Sequence, residues 1–175
     1  GTLNVWRTFW LTGLPCSGKT TLAIALKKEL DSSGYKTVHL DGDVLRAGVH
    51  RDLGFSSNDR RENLKRTACM ARDLSREGNL VIASFVSPTN ELRDMVREII
   101  GPMWLVYVKC SLAECKKRDV KGMYQKALKG EIKEFTGISA PFEEPIDADI
   151  LVDTEYNNIQ GCVHQILVML EIKYE

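Results

Sequence analysis

Eight residues, Gly13-Leu14-Pro15-Cys16-Ser17-Gly18-Lys19-Thr20, constrain this chain more than any other stretch. They read G-x-x-x-x-G-K-T, the Walker A phosphate loop. An apolar run of strand length, 7–12, precedes them, and Thr21 to Leu30 follow with apolar positions at helical spacing. That strand–loop–helix context is what the motif requires. Gly13 and Gly18 let the backbone turn tightly, so that its N–H groups face inward toward phosphate oxygens. The following helix adds the positive end of its dipole. In such a loop Lys19 reaches the β- and γ-phosphates and the Thr20 hydroxyl ligates Mg²⁺. ATP and Mg²⁺ are therefore the expected co-substrate and metal.

The 175 residues suit one domain, expected to span 1–175 and able to bury a sizeable core. Lysine plus arginine and aspartate plus glutamate each number 24, so the net charge is zero and no polybasic tail points to nucleic acid or membrane. No apolar run approaches the length of a membrane span and no secretory leader is visible, which gives a cytoplasmic expectation. Five cysteines, Cys16, Cys69, Cys110, Cys115 and Cys162, include no C-x-x-C pair, against a disulfide framework or a zinc site. Cys16 alone falls in an active-site loop, where its simplest reading is a small filler with an ordinary thiol.

Strand-like runs recur at 7–12, 37–40, 80–85, 104–108 and 150–152, with helical patterns over 18–31, 58–77, 90–100, 111–117, 122–129 and 156–172. The strands are apolar throughout rather than alternating, as in a parallel sheet covered on both faces. The alternation of β and α units predicts a doubly wound α/β domain whose ligands bind beyond the carboxyl ends of the strands.

The residues just after each strand are therefore the candidates. Asp41-Gly42-Asp43-Val44-Leu45-Arg46 follows the second strand. Its carboxylates can take a proton from an attacking hydroxyl or hold Mg²⁺ through water, and either aspartate equally suits the N-cap of a short helix. His39, within the strand, reads as a packed core residue. Phe55 is a lone aromatic in a polar loop and can stack on a base. Ser57 or Asn58 fits an N-cap for the long helix, and Arg60 and Asn63, three apart, share one face of it. That pair suits a phosphate and a polar ring edge, or equally a solvated helix end. The third strand ends in Ser84-Phe85-Val86-Ser87-Pro88-Thr89. A serine stands where many phosphate-loop proteins carry an acid, so the acidic role falls to Asp41 or Asp43. Ser87 before Pro88 fits a helix cap. Beyond the fourth strand, Lys116-Lys117-Arg118-Asp119-Val120-Lys121-Gly122 is the densest charge cluster, a basic surface helix or a lid closing over phosphates. Phe135 is a second isolated aromatic, able to pair with Phe55 around a base.

These stretches together resemble the adenylyl-sulfate kinase family across nearly the whole chain. The resemblance rests on G-L-P-C-S-G-K-T-T, L-D-G-D-V-L-R, D-L-G-F-S-S-N-D-R-R-E-N-L-K-R, S-F-V-S-P, R-D-V-K-G-M-Y-Q-K-A-L-K-G-E-I-K-E-F-T-G-I and L-V-D-T. The R-D-V-K-G…F-T-G-I block is far more specific than Walker A. The resemblance implies a P-loop kinase fold with a mobile lid, and commonly a homodimer. It implies transfer of the ATP γ-phosphate to the 3′-hydroxyl of adenosine 5′-phosphosulfate (APS), giving 3′-phosphoadenosine 5′-phosphosulfate and ADP. On its terms Gly13, Leu14, Pro15, Cys16, Ser17, Gly18, Lys19, Thr20 and Thr21 hold ATP, with Arg118 facing its adenine. Asp41, Asp43 and Arg46 serve the sulfonucleotide, and Thr20 with Asp43 the metal. Phe55, Arg60, Asn63, Val86, Ser87, Lys121, Phe135 and Thr136 bind the acceptor, Phe135 closing an adenine sandwich with Phe55. Lys19, Asp41, Asp43 and Ser87 form the catalytic set, Ser87 matching a serine described in some members as a phosphoserine intermediate. Direct in-line transfer needs no such step.

The chain departs from the family pattern at Pro15, Cys16 and Ser17, at Val44 in place of a common asparagine, and at Thr89 in place of a tyrosine after S-P. Members also occur fused to ATP sulfurylase, which makes that enzyme a candidate partner. A kinase of this fold acting on another modified nucleotide, such as a cytidine diphosphate derivative, is the first alternative. A non-catalytic nucleotide-binding regulatory domain is the second, and it predicts loss of Lys19, Thr20 or the D-G-D acids, all of which are present.

Overall fold

The computed structural model describes residues 6–173. Its elements in chain order are β1 (Thr8–Thr12), α1 (Lys19–Ser32), β2 (Thr37–Asp41), α2 (Gly42–Ala47), α3 (Ser57–Arg76), β3 (Leu80–Ser84), α4 (Asn90–Ile100), β4 (Trp104–Lys109), α5 (Leu112–Arg118), α6 (Met123–Leu128), β5 (Ile150–Asp153) and α7 (Ile159–Lys173). The five strands form one parallel sheet in the order β2-β3-β1-β4-β5. Phe9 of β1 sits between Ile82 of β3 and Trp104 of β4, so β1 is the middle strand. Its carboxyl end therefore opens where the chain leaves the sheet in both directions, the ligand-binding edge of such folds.

Side chains along each strand alternate between two buried layers, which is why the strands are apolar without interruption. Phe9, Leu11, Ile82, Trp104 and Val106 pack against Leu22 and Leu26 of α1 and Val163 and Ile166 of α7. Trp10, Val81, Ala83 and Leu105 point the other way, onto Leu45, Leu64, Ala68 and Val96 of α2, α3 and α4. The Trp104 ring stacks on Phe9 with centroids 4.3 Å apart. Each such fully buried apolar side chain contributes about 1.5–3 kcal/mol. A third, smaller cluster of Cys110, Cys115, Tyr124, Ala127 and Phe135 lies against Leu14 and Cys16 of the phosphate loop.

Helix starts differ from the sequence expectation because short side chains outside the apolar pattern choose them. Asp41 caps α2, accepting from the backbone of Asp43 and Val44, so the short-helix alternative holds at Asp41. Ser56, rather than Ser57 or Asn58, caps α3. Thr89, rather than Ser87, caps α4 through Leu92 N. The last helix begins at Ile159 rather than near Asn157, because the Asp153 carboxylate first takes Glu155 N and Tyr156 N into a turn. Among the described residues no helix is long and apolar enough to cross a membrane.

Candidate active site

The phosphate loop is built around two glycines that do different things. A Cβ on Gly13 would sit 2.5 Å from the Val108 carbonyl oxygen, so any side chain there would force β1 and β4 apart. Gly18 adopts φ 101°, in the left-handed region, immediately before α1. Cys16 also has positive φ, 67°, which an L side chain rarely adopts. Its thiol lies against the cluster beneath the loop while its carbonyl points to Arg118.

Lys19 is buried, its ammonium donating to the carbonyls of Gly13 (2.9 Å) and Leu14 (2.7 Å). Burial lowers its pKa from the ordinary 10.5 to about 8. Nearby Cys115 is pushed up to about 12 by its own burial, so near neutrality it is a thiol and supplies no counter-charge. Between pH 8 and 10.5 the unfolded chain holds a proton at Lys19 that the folded chain has lost. This group's contribution to stability therefore rises with pH through that window. Nucleotide phosphates reverse the balance by supplying the missing negative charge. ATP affinity is accordingly expected to fall as pH rises above about 8, by up to tenfold per unit. Calorimetric titration of ATP from pH 7 to 9.5 checks this. A flat wild-type profile, or the same decline in Lys19→Arg, would refute it.

Of the two acids in D-G-D, the structure brings Asp41, not Asp43, to the loop. Asp41 Oδ2 accepts from Thr20 Oγ1 (2.9 Å) and from Ser84 Oγ (3.1 Å), and Ser84 in turn meets His39 Nε2 at 2.8 Å. Burial alone would push the Asp41 carboxyl up, but the bonds from Thr20, Val44 N and Ser84 hold it below the usual range, so it stays an anion. Thr20 thus meets Asp41, whereas Asp43, expected beside Thr20 at the metal, lies against Lys121. His39 is likewise a hydrogen-bonded member of this chain rather than inert packing. No group of three acidic, histidine or cysteine side chains forms a metal cage among the described residues. A hydroxyl and one buried carboxylate beside a phosphate loop fit Mg²⁺, which keeps waters and takes phosphate oxygens as ligands.

Asp43 stands apart and exposed, 2.6 Å from Lys121 Nζ. The R-D-V-K-G segment explains how Lys121 gets there. Arg118, at the end of α5, donates to the carbonyls of Cys16 (3.3 Å) and Thr154 (2.9 Å). Asp119 caps α6 by accepting from Tyr124 N (2.8 Å) and Gln125 N (3.2 Å). Gly122, at φ 67°, closes the turn, and Lys121 projects across the site to Asp43. Sequence reasoning assigned no role to Thr154, whose hydroxyl donates to the Ser17 carbonyl and whose methyl lies over Gly18. Its place in L-V-D-T, directly after a strand, was the available signal.

Arg46, Phe55, Arg60 and Asn63, expected on the acceptor side, come from α2, the loop 48–56 and α3. The Arg46 guanidinium lies 4.7 Å from the centre of the exposed Phe55 ring. Arg46 is half-buried, close enough to Arg60 to feel its charge, and its Nε has no hydrogen-bond partner among the described residues. Asn63 is fully buried; its Oδ1 faces His50 Nδ1 at 2.7 Å and its Nδ2 has no partner among the described residues. Two guanidinium groups, an aromatic face and an unpaired amide make a site for an anionic ring compound.

Ser87 and Phe135 differ from expectation. Ser87 is buried at φ 38°; its hydroxyl accepts from Trp10 Nε1 (3.2 Å) and donates to the Phe85 carbonyl (3.1 Å), so it is committed to structure. The Thr12 hydroxyl donates to the carbonyls of Val86 (2.7 Å) and Ser87 (3.1 Å), and Arg93 Nε to the latter at 2.9 Å. Phe135 is buried edge-on to Tyr124, whose hydroxyl donates to the Pro15 carbonyl (2.7 Å). Among the described residues no ring contact joins Phe55 to Phe135, so the sandwich is not formed in this structure. Phe135 instead braces the phosphate loop through Tyr124, and the buried Thr136 forms a backbone bridge with Ala140. A cavity of about 620 Å³ beside Leu14 is walled by Tyr107, Ser111, Ile138, Phe142 and Glu144.

Residues 6–153 match the family model described as adenylylsulphate kinase. The chain belongs to the adenylyl-sulfate kinase family. An adenylyl-sulfate kinase of Staphylococcus carnosus is 47% identical over 164 residues, covering 93% of this chain and 82% of that one. The Mycobacterium tuberculosis APS kinase CysC, solved in complex with AMPPNP and APS, superposes with a TM-score of 0.92 at 36% identity, covering 95% of this chain and 98% of that one. A hexameric APS kinase from Thiobacillus denitrificans gives a TM-score of 0.72 at 26% identity, over 97% of this chain and 29% of that one. As a member of this kinase family the chain is an ATP-dependent phosphotransferase.

Proposed function

We propose that this chain transfers the γ-phosphate of ATP to the 3′-hydroxyl of APS, forming 3′-phosphoadenosine 5′-phosphosulfate and ADP. The carrying observation is the D-G-D segment, which sets one carboxylate against the phosphate loop and a second beside an arginine–aromatic–amide cluster. Two nucleotides can thus meet across it. ATP occupies Gly13 to Thr21 with Arg118 toward its adenine. Thr20 and Asp41 would hold Mg²⁺, which would supply positive charge to the phosphates. Arg46, Phe55, Arg60 and Asn63 hold the sulfonucleotide, with Val86, Phe135 and Thr136 around it. Asp43 orients the acceptor hydroxyl and accepts its proton, and Lys121 exchanges its partner Asp43 for phosphate oxygens as the lid closes. Lys19 and the lid cations offset charge on the transferring group, so positioning and electrostatics provide most of the acceleration.

A single kinase domain over 1–175, a homodimer and a cytoplasmic location belong to this reading, as does association with an ATP sulfurylase. A hexameric relative agrees with self-association. The test is a coupled ADP-release assay with a panel of acceptors. Turnover with APS at least a hundredfold above that with cytidine diphosphate derivatives supports the reading, and the reverse preference overturns it. Phe55→Ala is expected to raise KM for the acceptor by roughly five- to a hundredfold, the equivalent of ~1–3 kcal/mol of stacking, with little change for ATP. A rise in the ATP KM instead would mean that the two nucleotide sites are interchanged.

A further inference from the structure

The loop 48–56, which carries Phe55, is tied to α3 at three places. Arg66 grips Asp52 with both terminal nitrogens (2.9 and 3.0 Å), and Asp59 accepts from Gly54 N (2.8 Å). Both ties lie at or near the surface, where such contacts are weak. The third tie, His50 Nδ1 to Asn63 Oδ1 at 2.7 Å, is buried. A hydrogen bond shielded from water is electrostatically stronger than an exposed one. His50 is also fixed through its backbone: its N–H donates to the Leu45 carbonyl (2.7 Å), and its own carbonyl accepts from Leu53 N (3.0 Å). It thus joins the end of α2, which bears Arg46, to the Phe55 loop and to Asn63.

The two ends of the Asn63 amide have different fates. Oδ1 is taken by the imidazole, while the NH₂ is buried and unpaired among the described residues. A buried donor left unsatisfied penalises the protein until something arrives to accept from it. With Oδ1 facing Nδ1, this bond requires the tautomer protonated at Nδ1, and that tautomer keeps the NH₂ turned away from the imidazole. An imidazole offering a lone pair would turn the amide round and present a carbonyl instead. We propose that His50 is a positioning residue for the acceptor nucleotide: it locks Asn63 with its NH₂ free to donate and holds the Phe55 loop on α3, so that base and phosphosulfate meet a preset clamp. The proposal rests on the acceptor-site reading above.

His50→Ala is expected to raise KM for APS about tenfold, with kcat and the ATP KM within twofold of wild type. His50→Asn, whose amide can place an N–H where Nδ1 stands, is expected to restore the acceptor KM to within threefold. The double variant His50→Ala/Asn63→Ala should be no worse than Asn63→Ala alone, because the histidine acts through the amide. Equal losses for both nucleotides, no rescue by asparagine, or additive losses in the double variant would overturn the proposal. A substrate-free arm separates it from the activity assignment. In wild type the two Asn63 NH₂ protons should be protected from solvent exchange, and in His50→Ala they should stay separate NMR signals, because the amide C–N bond turns slowly, but exchange with solvent at least tenfold faster. Unchanged exchange would dismiss the positioning role whatever the acceptor, whereas failure of wild type to phosphorylate APS would dismiss the functional reading alone.

Discussion

Lys19→Ala is expected to lower kcat by on the order of 10²–10³, the usual loss when a preorganised charge opposite a developing anion is removed. The structure sharpens the expectation in one respect. In the structure the Lys19 ammonium donates to the Gly13 and Leu14 carbonyls. It must leave them for the phosphates, so its hydrogen bonds are exchanged rather than newly made. The variant should therefore retain its fold, since the carbonyls can accept water and the buried charge disappears with the side chain. The unliganded protein should melt no lower than wild type below pH 8, where burying the charged amine opposes folding. Steady-state kinetics with thermal melts at pH 7 check both halves. Turnover within threefold of wild type would remove Lys19 from the phosphate-binding role.

The fold was legible because its signals are redundant. Five apolar runs, each just long enough for a strand and separated by helical spacing, leave little but a parallel sheet with both faces covered. Helix boundaries were less legible because caps compete locally. In S-S-N-D three successive residues can cap α3, and Ser56 prevails because its hydroxyl reaches Asp59 N. In S-P-T the serine is withdrawn from capping by Trp10 and Phe85, which leaves Thr89.

The site was legible where one residue type has one job, as in Gly18, Lys19 and Thr20. It was illegible where a role depends on a partner distant in sequence. Nothing in D-G-D tells which acid faces Thr20; the choice follows from Asp41 being the last residue of β2, paired with Ser84. Thr154 lies 137 residues from the Ser17 carbonyl it bonds, and His50 lies outside every quoted phosphate motif. An isolated aromatic in a polar stretch, such as Phe135, reads as a ligand contact, and its packing edge-on to Tyr124 could not be read from the sequence. Its neighbour in space, Tyr124, was read only as part of a helix.

Asp43→Asn is expected to cut kcat by roughly 10²–10⁴ with ATP affinity within about threefold, and it isolates the proton-accepting step. The backbone of Asp43 is held by the Asp41 carboxylate at 3.0 Å, not by its own side chain, so the amide replacement leaves α2 capped and the Asp41–Thr20 bond untouched. What disappears is one negative charge facing the acceptor and its ion pair with Lys121. That pair is exposed on both sides, so its loss should cost little stability. A large fall in kcat without a fall in melting temperature or ATP binding therefore points to the chemistry itself. The alternative route, through a phosphoserine, makes the opposite demands. It needs a free Ser87 hydroxyl, whereas this one bridges Trp10 and the Phe85 carbonyl. Ser87→Ala should stay active, though destabilised by about 1–3 kcal/mol because it strands the indole N–H. Rapid quench with γ-labelled ATP and no acceptor separates the two routes. Direct transfer leaves the protein unlabelled, and Asp43→Asn slows the single-turnover rate by the same factor as kcat. Stoichiometric label on Ser87, passed to APS at the rate of turnover, would reverse the assignment and make Asp43 an auxiliary to a covalent step.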